Sequence, residues 1–269
     1  MSPTFPIHQG GVVRAAPSLP GLRRITAQDI GHALRAGYED FNAWPTHAIF
    51  LVLIYPVVGL LLAYATSRQN VLPLFYPLLA GFAILGPFAA LGLYEVSRRR
   101  ELGETPSWRD ALSVGRRANF SSMLLLGVAL LVIFVCWLGA AQLIYGLTLK
   151  TAPESFADLM RRSLSTRQGW ALIIIGNGVG FLFAALAFTI SVLSFPLMLD
   201  RHLGAADAVR CSVRAVQHNP GPMALWGLVV AGGLVLGSLP FLIGLALVLP
   251  ILGHATWHLY RRVVVDDAP

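Results

Sequence analysis

The chain has 269 residues, of which 56% are apolar and only 12% are charged, with a net charge of +7. This is about half the charged fraction of an ordinary soluble domain, too little to cover the apolar residues of a soluble globule. The hydrophobicity also excludes a disordered chain, and the two cysteines exclude a disulfide-rich scaffold. The composition therefore predicts a protein embedded in a lipid bilayer.

Apolar stretches long enough to cross a hydrocarbon core of about 30 Å follow residues 1–24, which we expect to form a disordered cytoplasmic tail. The last apolar block is too long for one span and contains Gly237 and Pro240, so a tight turn divides it. The sequence predicts an all-α, polytopic bundle, with a membrane domain over residues 25–264 and a cytoplasmic tail over 265–269. Its six spans lie at about 46–66, 72–94, 121–144, 169–195, 222–238 and 240–260.

The arginines predict how these spans are oriented. With six spans, most arginines fall in the tails and loops of one side, and a five-span count weakens this bias. Because short loops rich in Arg stay in the cytoplasm, both termini are predicted to be cytoplasmic.

A short segment typical of an amphipathic helix precedes each pair of spans on the cytoplasmic side. Each segment pairs a residue that can cap a helix with an aspartate three positions later: Thr26 and Asp29, Ser107 and Asp110, and Gly204 and Asp207. The recurrence suggests a threefold repeat of interfacial helix plus membrane hairpin, although three unrelated helices explain it about equally well. The outer loop at 154–164 predicts another short amphipathic helix.

The histidines lie at or near the cytoplasmic face. His254 and His258 are four residues apart on one face of the last span, and His47 enters the membrane from the same side. Such imidazoles can ligate a haem iron or a metal, or relay protons. No acid or cysteine stands nearby at ligand spacing, which favours interfacial anchors and predicts no metal site, with haem as the alternative.

Three polar residues in or beside the spans form a candidate polar site. Glu95 and Asp200 stand at the cytoplasmic ends of the second and fourth spans, each with arginines within one helical turn. Ion pairs at headgroup level are the simpler interpretation, and a proton or cation site is the alternative if these acids face His254 or His258. Asn177, inside the fourth span, can add a hydrogen bond between helices.

Two glycine pairs have the spacing of a close helix contact. Gly176 and Gly180 lie in the fourth span and Gly233 and Gly237 in the fifth, so we predict helix packing there and no dinucleotide site.

Clustered arginines next to the spans are predicted to bind anionic lipid headgroups, not nucleic acid. These arginines are Arg98, Arg99, Arg100, Arg116 and Arg117.

No catalytic motif is present. The chain has no Walker A loop, no HExxH, no nucleophile elbow and no CxxC, so no catalytic residue is predicted.

Three strings resemble a bacterial domain-of-unknown-function family of predicted integral membrane proteins, family 2189. They are GLYEVSRR at residues 92–99, FPLMLDR at 195–201 and GHATWHLYR at 253–261. The resemblance extends over about residues 22–264 and implies a bacterial inner-membrane protein with no established activity.

The leading hypothesis is a non-enzymatic structural, assembly or accessory component of the inner membrane, with other membrane proteins as possible partners. The alternatives are a haem- or metal-binding redox accessory that uses His47, His254 and His258, and a small-solute transporter. The transporter hypothesis requires the polar side chains to converge on one cavity.

Overall fold

The computed structural model describes residues 19–44, 74–151, 153–239 and 244–265. Within these ranges the protein is helical, apart from 3₁₀ turns and one isolated antiparallel β-bridge. The predicted span at 46–66 and His47 lie outside the described residues. The helices are α1 (Ala27–Ala43), α2 (Phe75–Phe82), α3 (Gly86–Ala89), α4 (Leu91–Glu101), α5 (Trp108–Ser113), α6 (Phe120–Thr148), α7 (Phe156–Ser165), α8 (Arg167–Ser191), α9 (Ser194–Arg201), α10 (Ala205–His218), α11 (Pro220–Ser238) and α12 (Leu245–Val263).

Four helical stretches in the described part of the chain are long and apolar enough to cross a membrane. They are Tyr76–Glu101, which comprises α2 to α4, then α6, then Arg167–Arg201, which comprises α8 and α9, and finally α11. These match four of the six predicted spans. The predicted span at 240–260 corresponds to α12, which is not among the four, since its second half carries two histidines and two arginines.

The four stretches expose much of their apolar surface, as expected of helices that face lipid. Phe181, for example, is 70% exposed. The most completely buried side chains lie instead near one end of the bundle, where α4, α9 and α12 meet. There Phe195, Leu199, Trp257 and Tyr260 are all buried.

Helix α1 begins with the predicted cap. The backbone N–H and the hydroxyl of Thr26 both donate to Oδ2 of Asp29, at 2.9 and 3.0 Å, which satisfies an otherwise unpaired helix-terminal group. The buried stripe of α1 packs along α12, and Gly37 lies directly against the backbone of Ala255.

The chain segments next to α1 and α12 also pair with each other. Leu22 and Val264 form the β-bridge, and the backbone N–H of Arg23 donates to the carbonyl of Val263 at 2.8 Å. Asn219 accepts a hydrogen bond from the backbone N–H of Ile25 at 2.9 Å. Ordered structure therefore begins before residue 25. The predicted disordered tail over 1–24 extends too far toward α1, because Leu22 and Arg23 are already in contact with the bundle.

The other predicted short helices are present as α5, α7 and α10. Helix α5 has the same reciprocal cap as α1, with the N–H of Ser107 donating to Asp110 at 2.7 Å. The third segment differs, because Gly204 has no side chain and Asp207 binds Arg210 instead. Helix α7 confirms the amphipathic helix predicted at residues 154–164.

Gly37→Ala is predicted to destabilise the contact between α1 and α12. A Cβ atom there would lie 2.5 Å from the backbone nitrogen of Ala255, so one helix has to move, at a cost of about 1–3 kcal/mol. The matched control is Gly31→Ala on the exposed side of α1, where a Cβ meets nothing within 4 Å among the described residues. The control should be neutral or stabilise by up to about 1 kcal/mol. Thermal unfolding in a mild detergent measures both, and equal melting temperatures would contradict the packing.

Candidate functional site

Helix α4 ends in two polar turns, which face neighbouring helices and not open water. Glu95 and Ser97 are buried, and the three arginines that follow are only partly exposed. Because a buried charge needs partners, this end of α4 assembles two groups of polar side chains.

The first group, here called the Glu95 cluster, consists of Glu95, Arg98, Arg99 and Arg117. The Glu95 side chain is 0% exposed and accepts from Nε of Arg98 at 2.9 Å and from Nε of Arg99 at 2.8 Å. Arg117, which precedes α6, donates to the same carboxylate at 2.6 Å and also reaches the carbonyl of Leu199 in α9. One carboxylate thus joins α4 to the start of α6 and to α9.

The second group, the Asp40 cluster, consists of Asp40, Ser97, Arg100, His254 and His258. The buried Asp40 carboxylate of α1 accepts from Ser97 at 2.6 Å and from Arg100 at 2.6 Å. Nε2 of His258 lies 2.8 Å from the same carboxylate. This cluster therefore joins α1, α4 and α12.

The hydrogen atoms of the Asp40 cluster can be assigned from this network. Ser97 has one hydroxyl proton and gives it to Asp40, so its oxygen accepts from Nδ1 of His254, 2.8 Å away. His254 is therefore protonated on Nδ1, and its buried Nε2 makes no hydrogen bond with the described residues.

The partners of Asp40 also determine its acidity. Burial alone raises the pKa of Asp40, but hydrogen bonds from His258 and Ser97 and the nearby imidazoles outweigh it, and the net pKa is below the ordinary value of 3.8. Asp40 is therefore an anion at neutral pH.

The last turns of α12 bind acids from three further positions. The hydroxyl of Tyr260 donates to Asp200 at 2.6 Å, and the indole N–H of Trp257 donates to Glu101 at 2.9 Å. Both aromatic side chains are buried within the bundle, as is His254, which the sequence predicts to be an interfacial anchor.

Arg262, also in the last turns of α12, reaches Asp29 in α1 at 2.9 Å. The backbone hydrogen bond from Thr26, together with Arg262, holds the pKa of Asp29 below its ordinary value.

The candidate polar site does not converge on one cavity among the described residues. Glu95 and Asp200 belong to the separate contacts described above. Asn177 instead accepts from the hydroxyl of Tyr76 at 2.9 Å and lines a cavity of ≈ 320 Å³, whose other lining residues include Trp137. Neither Glu95 nor Asp200 lines that cavity.

The glycine pairs differ in what they contact. A Cβ at Gly237 would approach the backbone of Gly244 and Leu245, and one at Gly233 would approach Val248, so this pair lies against α12 and the turn before it. Gly180 lies against the Trp137 ring of α6, whereas a Cβ at Gly176 meets nothing within 4 Å among the described residues.

Four of the five arginines predicted to bind headgroups have carboxylate partners inside the protein. Arg98, Arg99 and Arg117 bind Glu95, and Arg100 binds Asp40. Arg116 is exposed and has no ion pair within the described ranges. For Arg98 and Arg99 the carboxylate is one helical turn away, whereas Arg117 and Arg100 meet carboxylates that are distant in the sequence.

The described residues contain no group of three or more His, Cys, Asp or Glu side chains that could hold a metal ion. His254 has a free nitrogen lone pair, but its side chain is 0% exposed. His258 already uses Nε2 to contact Asp40. The geometry around these two imidazoles thus favours a hydrogen-bonded network over a ligand set.

Asp40 is the main site residue that sequence reasoning missed. A signal was present, because Asp40 continues the buried stripe of Ile30, Ala33 and Gly37 at helical spacing. A charge at a core position of an amphipathic helix indicates a buried partner. Ser97 had no comparable signal.

Comparison with known families supports the membrane assignment. Residues 75–200 match the model of the family described as predicted integral membrane protein, DUF2189. We call residues 75–200 the DUF2189 segment. This confirms the expected resemblance over a shorter range than 22–264. No curated protein and no solved structure matches the chain.

The DUF2189 segment divides the two clusters. It contains every member of the Glu95 cluster, whereas Asp40, His254 and His258 lie outside it. The segment also contains the string at 92–99 and all but the last residue of the string at 195–201, and the string at 253–261 falls beyond its end.

Glu95→Gln is predicted to destabilise the protein strongly. The substitution leaves three guanidinium groups without their buried carboxylate, which costs about 3–5 kcal/mol when one partner of a buried pair is removed. The matched control is Glu39→Gln, which removes an exposed pair with Arg35 of the same i,i+4 type. The control should cost about 0.5 kcal/mol or less. Unfolding in detergent compares the two, and a small effect at Glu95 would contradict the role of its cluster.

Asp40→Asn is predicted to lower stability in a pH-dependent way. Because the folded-state pKa of Asp40 is depressed, its contribution is fully present above its ordinary value of 3.8 and is lost as the pH falls through the lower folded value. The difference in unfolding free energy between wild type and variant should therefore be larger at neutral pH than in acid, where it disappears. Chemical unfolding over a pH series measures it. A difference that grows below pH 4 would mean that Asp40 is not a stabilising anion.

Proposed function

We propose that this protein is a non-enzymatic, multi-pass membrane protein with a structural, assembly or accessory role. The observation that carries the proposal is the mutual binding of ionisable groups at one end of the bundle. The Asp40 and Glu95 carboxylates accept hydrogen bonds from arginine, serine and histidine side chains of neighbouring elements. Such groups stabilise an arrangement of helices.

A protein with such a role needs an exposed surface for a partner, and the exposed sides of α1 and α10 provide one. Helices α1 and α10 have buried sides that pack on the bundle and opposite sides that are polar and exposed, including Arg35 and Arg210. The bound carboxylates hold α1 in a defined position relative to α4 and α12. A rigid polar face next to a membrane bundle suits an accessory subunit.

We further propose six spans with both termini in the cytoplasm of a bacterium and the spans in its inner membrane. The concentration of arginine in the tails and loops of one side supports this orientation. The apolar stretch at 46–66 and the apolar first half of α12 would add two spans to the four long apolar helices. A threefold repeat of short helix plus hairpin is part of this proposal, supported by matching caps on α1 and α5.

The alternatives make distinct demands on the same residues. A haem-binding accessory needs an imidazole nitrogen that a haem iron can reach, and His254 is enclosed. A transporter needs Glu95, Asp200 and Asn177 to line one solute pathway. Each of these side chains is instead hydrogen-bonded to a different neighbour. No observation in the described residues favours either alternative over the structural role.

Purification in a gentle detergent, followed by reconstitution, tests the proposed function. We expect no Soret band, no stoichiometric metal and no solute flux above that of protein-free vesicles. Folded Glu39→Gln protein serves as the matched control for handling, since its change lies on the exposed side of α1. A Soret band that disappears in His254→Ala, or a flux that disappears in Asp200→Asn while the protein remains folded, would overturn the proposal.

A further inference from the structure

Helix α5 carries two large apolar side chains that point away from the bundle. Trp108 and Leu112, one helical turn apart, are 55% and 68% exposed. The residue after the first-turn aspartate is buried in α1 and α10, at Ile30 and Ala208, whereas in α5 the large apolar side chains lie at other positions of the helix. Helix α5 thus presents an apolar face that nothing in the described part of the chain covers.

The opposite side of α5 is fixed to the bundle. Val114 is buried, Ala111 lies against Gly92 of α4, and Asp110 forms an ion pair with Arg99 at 3.0 Å. The Ser107 cap holds the first turn. The outward direction of Trp108 and Leu112 is therefore set by contacts on the other side of the helix.

The charges around α5 are sorted by sign. The acids Asp110, in α5, and Glu104, which precedes it, are both paired with Arg99. Arg109 and Arg116 are exposed and form no ion pair within the described ranges, and the guanidinium group of Arg109 lies 5.5 Å from the centre of the Trp108 ring. The uncovered face is therefore both apolar and basic.

The position of α5 in the chain indicates that the bilayer surface covers this face. The helix lies in the connection between the Tyr76–Glu101 stretch and α6, both long and apolar enough to cross a membrane. A short connection between two spans stays close to the bilayer surface, where tryptophan prefers the headgroup level and arginine meets anionic lipids.

We propose that Trp108, Arg109, Leu112 and Arg116 form a lipid-binding face that lies in the headgroup layer and binds anionic phospholipids. The inference rests on the membrane spans and is independent of the proposed non-enzymatic role. It assigns lipid contact to different residues from Arg98, Arg99 and Arg117, whose guanidinium groups bind Glu95.

The depth of α5 can be measured in lipid nanodiscs with a fluorescent probe on Leu112→Cys. The background carries Cys136→Ala and Cys211→Ala, and the matched control places the probe on Ala206→Cys, at an exposed position of α10. We expect brominated lipid to quench the Leu112 probe and aqueous iodide not to reach it, with the reverse at the control. Iodide access to the Leu112 probe equal to that at the control would overturn the proposal. Shielding that appears only after a protein is added would replace the bilayer with a protein partner.

The charge component needs a second measurement, of the enrichment of anionic over zwitterionic lipid around the protein. Arg109→Gln combined with Arg116→Gln should lower the enrichment, by about fivefold for each arginine. Arg35→Gln combined with Arg210→Gln is the control, because both of these exposed arginines have acidic partners. Equal losses in the two double variants would show that the preference comes from net charge and not from the α5 face.

Discussion

The neutralisation of buried carboxylates is the constraint on which the rest of this structure depends. An ionised group removed from water is costly unless charged or hydrogen-bonding partners surround it. Glu95 and Asp40 meet that demand with partners drawn from distant parts of the chain, Arg117 in one case and His258 in the other. The helices that carry those partners must therefore meet at the end of α4.

Polar contacts matter here because apolar contacts discriminate poorly between neighbours in a bilayer. Lipid tails are as apolar as leucine, so apolar helix faces gain little by choosing protein over lipid. Close approach and hydrogen bonding supply the specificity instead. The contact of Gly37 with Ala255 and the Tyr260 hydroxyl on Asp200 are examples of each. The long helices can remain lipid-exposed because their ends are joined so specifically.

The sequence predicts the helices and local contacts well, since these depend on periodicity and short spacing. The caps at Thr26 and Ser107 and the pairing of Glu95 with arginines one turn away follow directly from it. The third arginine on Glu95 does not, because nothing local distinguishes Arg117 from Arg116. Contacts such as Asp40 with His258 require the tertiary arrangement of α1 and α12, which helical periodicity does not encode.

The separation of Asp40 from His258 by 218 positions has a consequence for biosynthesis. At ordinary translation speeds, about 10 to 40 s pass between the synthesis of the two residues. Throughout that interval the Asp40 carboxylate lacks both imidazoles, and of its partners only Ser97 and Arg100 are made within it. Helix α1 emerges from the ribosome ahead of every long apolar helix described here, yet it can be seated only when α12 is complete. The complete docking of α1 is thus a late step, which follows the synthesis of the last helix described.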